Sequence, residues 1–189
     1  MKKITFLLWV LAALLFIRLL VPIDAQAAEL PKAIVGENLV DKKPVTVALD
    51  PAKTYAVVFV SSKCPCSNSH VGELASLVKD YPSVTFVGIH SNTDEELNRS
   101  EEYFAAHAMG FPIVQDTNNA LADAFGAFKT PHSYVIRAGE ILYRGGVSDH
   151  QTYNPSARKY LREALEDLKQ NRAVKTATTR VLGCAIPRS

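Results

Sequence analysis

The chain is 189 residues long, 48% hydrophobic and 21% charged, with ten prolines, nine glycines, three cysteines and a formal net charge of +2. That balance belongs to a globular protein and excludes a disordered, collagen-like or low-complexity chain, and the length suits one domain with an appended arm. Near-neutral charge gives nucleic-acid binding no electrostatic support, so no nucleic-acid partner is expected.

In chain order, residues 1–27 read as a signal peptide. Lys2 and Lys3 precede an apolar run from Ile4 to Ile17, and Ala25-Gln26-Ala27 supplies an A-x-A cleavage site. Cleavage removes three of the 21 basic and one of the 19 acidic residues, leaving 18 of each. Arg18 interrupts the run before the ~20 residues a spanning helix needs. Left uncleaved, the segment is an anchor, and only then is the membrane a partner. Either way the body is expected in the periplasm or another exported location. Cys64, Cys66 and Cys184 all lie beyond this segment. Three thiols in an oxidising compartment allow at most one internal disulfide and leave one over, which leans toward redox chemistry or metal binding.

After a short polar lead, residues 44–49 (PVTVAL) alternate weakly, as a strand does, and Asp50-Pro51-Ala52-Lys53 reads as a turn. Residues 55–60 (YAVVFV) form the continuous apolar run of a strand buried on both faces. From Ser67 onward, Val71, Leu74, Leu77 and Val78 fall at helical spacing as far as Tyr81-Pro82, and 84–89 (VTFVGI) is a second buried strand. Thr93-Asp94-Glu95-Glu96 reads as a capping box for a helix through Leu97, Phe104 and Ala108, closed by Gly110 and Pro112. A short strand to Gln115 follows, then a brief helix with Leu121 and Phe125 inward and Gly126 at its end. Residues 133–137 and 140–144 form a hairpin through Ala138-Gly139. Asn154 as N-cap and Pro155 at the first helical position predict the last helix, with Leu161, Leu165 and Leu168 as its apolar stripe. Residues 171–189 show no periodicity.

Strands alternating with helices, then a hairpin and a closing helix, predict an α/β fold. Right-handed crossovers make the first strands parallel and the hairpin antiparallel, giving a mixed central sheet with helices on both faces. Residues 28–171 are read as this domain and 172–189 as a cysteine-bearing C-terminal arm. The functional site is expected at the carboxyl ends of the parallel strands.

Cys64-Pro65-Cys66-Ser67 lies at that edge, where the strand 55–60 has ended and a helix begins. A thiol there faces unpaired backbone N–H groups, and Lys63 adds a positive neighbour, so Cys64 is the expected nucleophile with a pKa below the free ~8.5. Thr130-Pro131 stands just before the hairpin, opposite the cysteine edge. His90 and His132 also reach this edge, whereas His70, His107 and His150 read as surface or loop residues without a role.

With FVSSKCP at 59–65, FPIVQDTNNALADAFGAFKTP at 111–131 and ILYRGGVSDH at 141–150, the chain from Pro44 to about Asn171 resembles the thioredoxin-like superfamily. More narrowly it is similar to exported redoxins of the AhpC/TSA type, and its ending Gly183-Cys184-Ala185-Ile186 is similar to a terminal Gly-Cys-x-Ile motif of some of them. The resemblance implies a thioredoxin-like fold, Cys64 as attacking thiol and a cis Thr130–Pro131 bond facing it. It implies no cofactor, and thiols or disulfides of proteins or small molecules as partners. Two departures matter. The thioredoxin site is C-x-x-C, but Ser67 holds the fourth position and the second thiol is Cys66. Side chains two apart in a helical turn point about 200° apart, so a Cys64–Cys66 bridge needs a distorted turn. Of the peroxiredoxin pattern P-x-x-x-[T/S]-x-x-C, Ser61 matches the hydroxyl position but Val57 occupies the proline position. Cys184 lies on the arm, where some two-cysteine peroxidases keep a resolving thiol.

The leading expectation is an exported thiol–disulfide oxidoreductase: the Cys64 thiolate forms a mixed disulfide that Cys184 or Cys66 resolves. One alternative is an antioxidant, peroxiredoxin-like thiol peroxidase, in which Cys64 becomes a sulfenic acid and condenses with Cys184. Arg137 or Arg144 would then stabilise the leaving oxygen. The other alternative is a Cu(I) carrier holding the ion with Cys64, Cys66 and either His132 or His90.

Overall fold

The computed structural model describes residues 30–188; the expected signal segment at 1–27 lies outside the described residues. The first described elements are two antiparallel strands, β1 (Ala33–Glu37) and β2 (Pro44–Ala48), which form a sheet of their own. The sequence reading placed no strand before Pro44. Only Ile34 of β1 is buried, against the core, so the segment carries no period to read.

The central sheet is built on β3 (Thr54–Phe59), all six residues of which are buried. No alternation is needed, because both faces are covered. Its parallel neighbour is β4 (Val84–His90), which pairs in turn with β5 (Ile113–Gln115). After the two-residue β6 (Lys129–Thr130), β7 (His132–Arg137) lies antiparallel to β3 and turns through Ala138 and Gly139, both at positive φ, into β8 (Glu140–Gly145). The order is β5-β4-β3-β7-β8, the mixed sheet that the crossover and hairpin rules predict.

Among the described residues five α-helices flank it: α1 (Pro65–Ser69), α2 (Val71–Asp80), α3 (Leu97–Ala106), α4 (Ala120–Phe125) and α5 (Tyr160–Lys169). Leu74 and Leu77 of α2, Phe104 of α3 and Leu161 and Leu165 of α5 pack with Ala56, Val58 and Val135 on one face. Ala122 and Phe125 of α4 pack with Val57, Phe59 and Tyr134 on the other. Helices therefore cover both faces. Among the described residues no helix is long and apolar enough to cross a membrane.

Two helix boundaries differ from the sequence reading. The helix expected from Ser67 breaks at His70, which is buried rather than on the surface. One His70 ring nitrogen meets the Cys66 carbonyl at 2.7 Å and the other the Ser148 hydroxyl at 2.7 Å. The last helix begins at Tyr160 and not at Pro155. Residues 154–157 make only a turn, because Arg158 N donates to the Asp149 carboxylate at 2.9 Å and its carbonyl accepts from Asp149 N. These bonds hold the chain against the preceding loop.

The segment after α5 is irregular but docked. Arg144 N donates to Ala177 O at 2.9 Å, and Val181 and Ile186 are buried. A final strand, β9 (Cys184–Ala185), pairs antiparallel with β6. Isolated apolar residues hold this arm, which is why it shows no period.

Candidate active site

β3 ends at Phe59, and the chain leaves the carboxyl edge of the sheet through Ser61–Lys63 before entering α1. Cys64 is the N-cap of α1, in extended conformation, with Pro65 at the first helical position. Cys64 is 2% exposed. Its Sγ accepts from Ser67 N at 3.5 Å and lies 3.1 Å from the Thr130 carbonyl, to which the thiol form donates. Burial works against the thiolate, but donation from the Cys184 thiol and the Ser67 N–H outweighs it and holds Cys64 below the ordinary thiol range. Burial pushes Cys66 up, and the charge on Cys64 adds to it. Burial and the hydrogen bond with Cys64 push Cys184 to about 12. Of the three, Cys64 is the one whose thiolate is favoured.

The three sulphurs lie within 4.8 Å of one another, and none is bridged. Cys66 is not aimed away from Cys64, contrary to the expectation from helical rotation: Cys64 precedes the helix, and its extended backbone lets the Cys66 side chain return toward it. Cys184 arrives through the β6–β9 pairing, which sets it opposite Thr130. The Thr130–Pro131 bond is cis, as the resemblance implies.

Gly183 makes that approach possible. A Cβ there would stand 2.0 Å from the Thr130 carbonyl oxygen, a backbone atom of a fully buried residue that cannot yield. Gly183→Ala is therefore expected to lift the arm, and timed alkylation of the reduced protein should show Cys184 reacting at least ~10-fold faster, the equivalent of ~1.4 kcal/mol of lost docking. An unchanged rate would mean that the arm is not held by this contact.

The residue that sequence reasoning missed is Glu95. Read as part of a capping box, it instead lies outside α3, whose N-cap is Glu96, and turns inward. Its carboxylate is 2% exposed and accepts from both the Ser61 and Ser62 hydroxyls, from Ser62 N at 2.9 Å and from Lys63 N at 3.3 Å. His90 Nε2 lies 3.1 Å from it. Ser61 Oγ in turn accepts from Cys64 N at 2.9 Å. The loop that presents Cys64 thus hangs from one buried carboxylate. Burial pushes Glu95 up, but bonds from His90, Ser61 and Ser62 overcome it and hold the carboxyl at about 2. The one available signal was the polar run Ser61-Ser62-Lys63, whose donors need a partner once the strand before them is buried.

The AhpC/TSA family model matches residues 25–145, a stretch holding Cys64, Cys66 and the Thr130–Pro131 pair. The chain belongs to the AhpC/TSA family. Its fold is thioredoxin-like. It is similar to an uncharacterized conserved protein from Geobacillus kaustophilus, with 24% identity, a TM-score of 0.74, and 85% of this chain and 90% of the other covered. A hypothetical protein from Sinorhizobium meliloti 1021 is 25% identical, with a TM-score of 0.71 over 83% of this chain and 91% of the other. A secreted Mycobacterium tuberculosis disulfide oxidoreductase homologous to Escherichia coli DsbE shares the fold at 16% identity, with a TM-score of 0.52 over 77% and 96%. No curated protein matches.

In this AhpC/TSA protein the remaining sequence candidates divide. Thr130 and Pro131 stand at the sulphurs. His90 is turned to Glu95 and, through Nδ1, to Gln115 Oε1 at 2.9 Å. His132 Nδ1 meets the Tyr134 hydroxyl at 3.1 Å, and its ring packs against Phe128 and Tyr134. Burial, helped by Arg144, lowers His132 to about 4. Neither histidine joins the sulphur cluster: the group that converges here is Cys64, Cys66 and Cys184. Arg137 is at the wrong end of the sheet for a peroxide-binding role. It pairs with Thr54 at the start of β3 and donates to its hydroxyl at 2.7 Å, whereas Cys64 follows the far end. Arg144 lies on β8 opposite Tyr134, and its backbone holds the arm at Ala177 and Thr179.

Proposed function

We propose that this protein is an exported thiol–disulfide oxidoreductase in which Cys64 is the attacking thiol and Cys184 the resolving one. The observation that carries the reading is the pairing of Cys184 with Thr130, which sets a second thiol beside the buried Cys64. The fold likeness to a secreted disulfide oxidoreductase is consistent with it, and export rests on the signal-like segment at 1–27.

In the first step the Cys64 thiolate attacks a disulfide of a protein or small molecule. One substrate sulphur leaves as a thiolate and takes a proton from solvent; the other stays bonded to Cys64. Forming this mixed disulfide removes the charge on Cys64, which is one of the causes holding the Cys184 proton. Cys184 then gives up its proton, attacks Cys64 Sγ and releases the second substrate thiolate. The protein dithiol has lost two electrons to the substrate, and a thiol donor must restore it. Reaction of Cys64 thereby lowers the barrier to ionising Cys184, which favours attack in this order.

Peptide mapping of the oxidised protein is expected to show a Cys64–Cys184 bridge. Cys184→Ser should accumulate the Cys64 mixed disulfide with a model peptide disulfide, visible by intact mass. A Cys66–Cys184 bridge with Cys64 still alkylatable would overturn the assignment and make the arm a staple.

A further inference from the structure

The two-thiol reaction leaves Cys66 without a task, although its sulphur stands in the same cluster. We propose that the reduced site is also a binding site for a single Cu(I) ion, held by the three sulphurs of Cys64, Cys66 and Cys184. The Sγ atoms lie within 4.8 Å of one another. A metal at the centre of a sulphur triangle, at a metal–thiolate distance of ~2.3 Å, requires triangle edges of about 4 Å. The present span of at most 4.8 Å is close to that spacing.

The donor set selects the ion. Thiolates are soft ligands that favour Cu(I) and zinc over harder cations. A structural zinc takes four protein ligands, and among the described residues no histidine or carboxylate belongs to this cluster. His90 is turned to Glu95 and Gln115, and His132 to Tyr134. The Thr130 carbonyl, 3.1 Å from Cys64 Sγ, is a neutral backbone acceptor on the strand that pairs with the arm. Three sulphurs without a fourth donor suit a three-coordinate Cu(I). Binding exchanges thiol protons for the metal and transfers no electrons. It also places the third ligand on the arm: two sulphurs flank Pro65, and Cys184 comes from the far end of the chain, so an undocked arm leaves only two ligands. Oxidation to a Cys64–Cys184 disulfide removes two of the three donors, which confines the ion to the reduced protein.

The test uses the full-length chain, fully reduced and oxygen-free, titrated with an acetonitrile-stabilised Cu(I) salt against bicinchoninate as competing chelator. The expected result is one Cu(I) per chain, with three sulphurs and no nitrogen in the X-ray absorption spectrum. Cys66→Ser and Cys184→Ser should each weaken binding at least ~100-fold, while His132→Ala holds Cu(I) within ~3-fold of the parent chain. Zn(II) titrated in the same way should bind at least ~100-fold more weakly than Cu(I). A sulphur count of two, a Cys184→Ser chain that binds as tightly as the parent, or Zn(II) held as tightly as Cu(I) would overturn the proposal. The spectrum of the unmutated protein decides even if a variant folds poorly. Turnover of a disulfide by the metal-free protein is measured separately, so failure of the oxidoreductase reading is distinguishable from failure of this one.

Discussion

Cys64→Ser is expected to lose at least ~10³-fold in steady-state thiol–disulfide exchange while melting at or above the temperature of the parent protein. The loss is chemical, because a serine hydroxyl stays protonated where a thiol held below its ordinary range ionises. The fold should not suffer, since the position is the N-cap of α1 and serine is a preferred N-cap. Cys184→Ser differs in kind: it should retain a single burst of attack and fail only in turnover. Insulin reduction with a dithiol donor, read beside a pre-steady-state burst, separates the two. A Cys64→Ser protein keeping more than a tenth of the parent rate would move the nucleophile to another of the three thiols.

The second large effect is expected at Glu95, and it is a stability effect with a pH signature. The Glu95 carboxyl is held at about 2, against 4.5 for an ordinary glutamate. A group whose folded pKa is depressed stabilises the native state fully above its unfolded pKa. That contribution is lost as pH falls from about 4.5 toward about 2. The shift corresponds to roughly 3 kcal/mol. Glu95→Gln should therefore cost ~2–4 kcal/mol at pH 7, because a buried amide cannot accept from two hydroxyls and two backbone N–H groups together. It should also flatten the acid limb. Urea melts of both proteins from pH 7 to pH 2.5 give the difference directly, with the remaining carboxylates cancelling. Parallel curves for parent and variant would remove the carboxylate from this role. Exchange activity should fall as well, since Ser61 relays the same carboxylate to the Cys64 N–H.

Much of this molecule is written locally. The apolar run of β3 and that of β4 state that both faces of the strands are covered, and the helical stripe Leu161, Leu165 and Leu168 states where α5 packs. Ala138-Gly139 states the β7–β8 turn. Cys64 at the end of β3, ahead of Pro65, is legible for the same reason: strand end, cap and first helical residue all lie within about ten positions, and short-range sterics and hydrogen bonding decide each of them. The capping box shows the limit of such reading. Thr93-Asp94-Glu95-Glu96 offers more than one way to start a helix, and local rules cannot choose among them. What chose was the loop at 61–63, more than thirty residues earlier, whose donors needed a buried acceptor.

Sequence alone therefore determined the central sheet, its covering helices and the position of Cys64 at the sheet edge. It could not determine which thiols meet that residue. Cys66 returns toward Cys64 because the N-cap backbone is extended, with the Cys64 N–H held by Ser61 Oγ and Ser61 in turn by Glu95. Cys184 reaches Cys64 because Gly183 lets the arm approach Thr130 and because Val181 and Ile186 find separate apolar sites. Periodicity reports a continuous face turned toward a core. Contacts made by single residues across more than fifty positions leave no period, and only the assembled sheet edge brings them together.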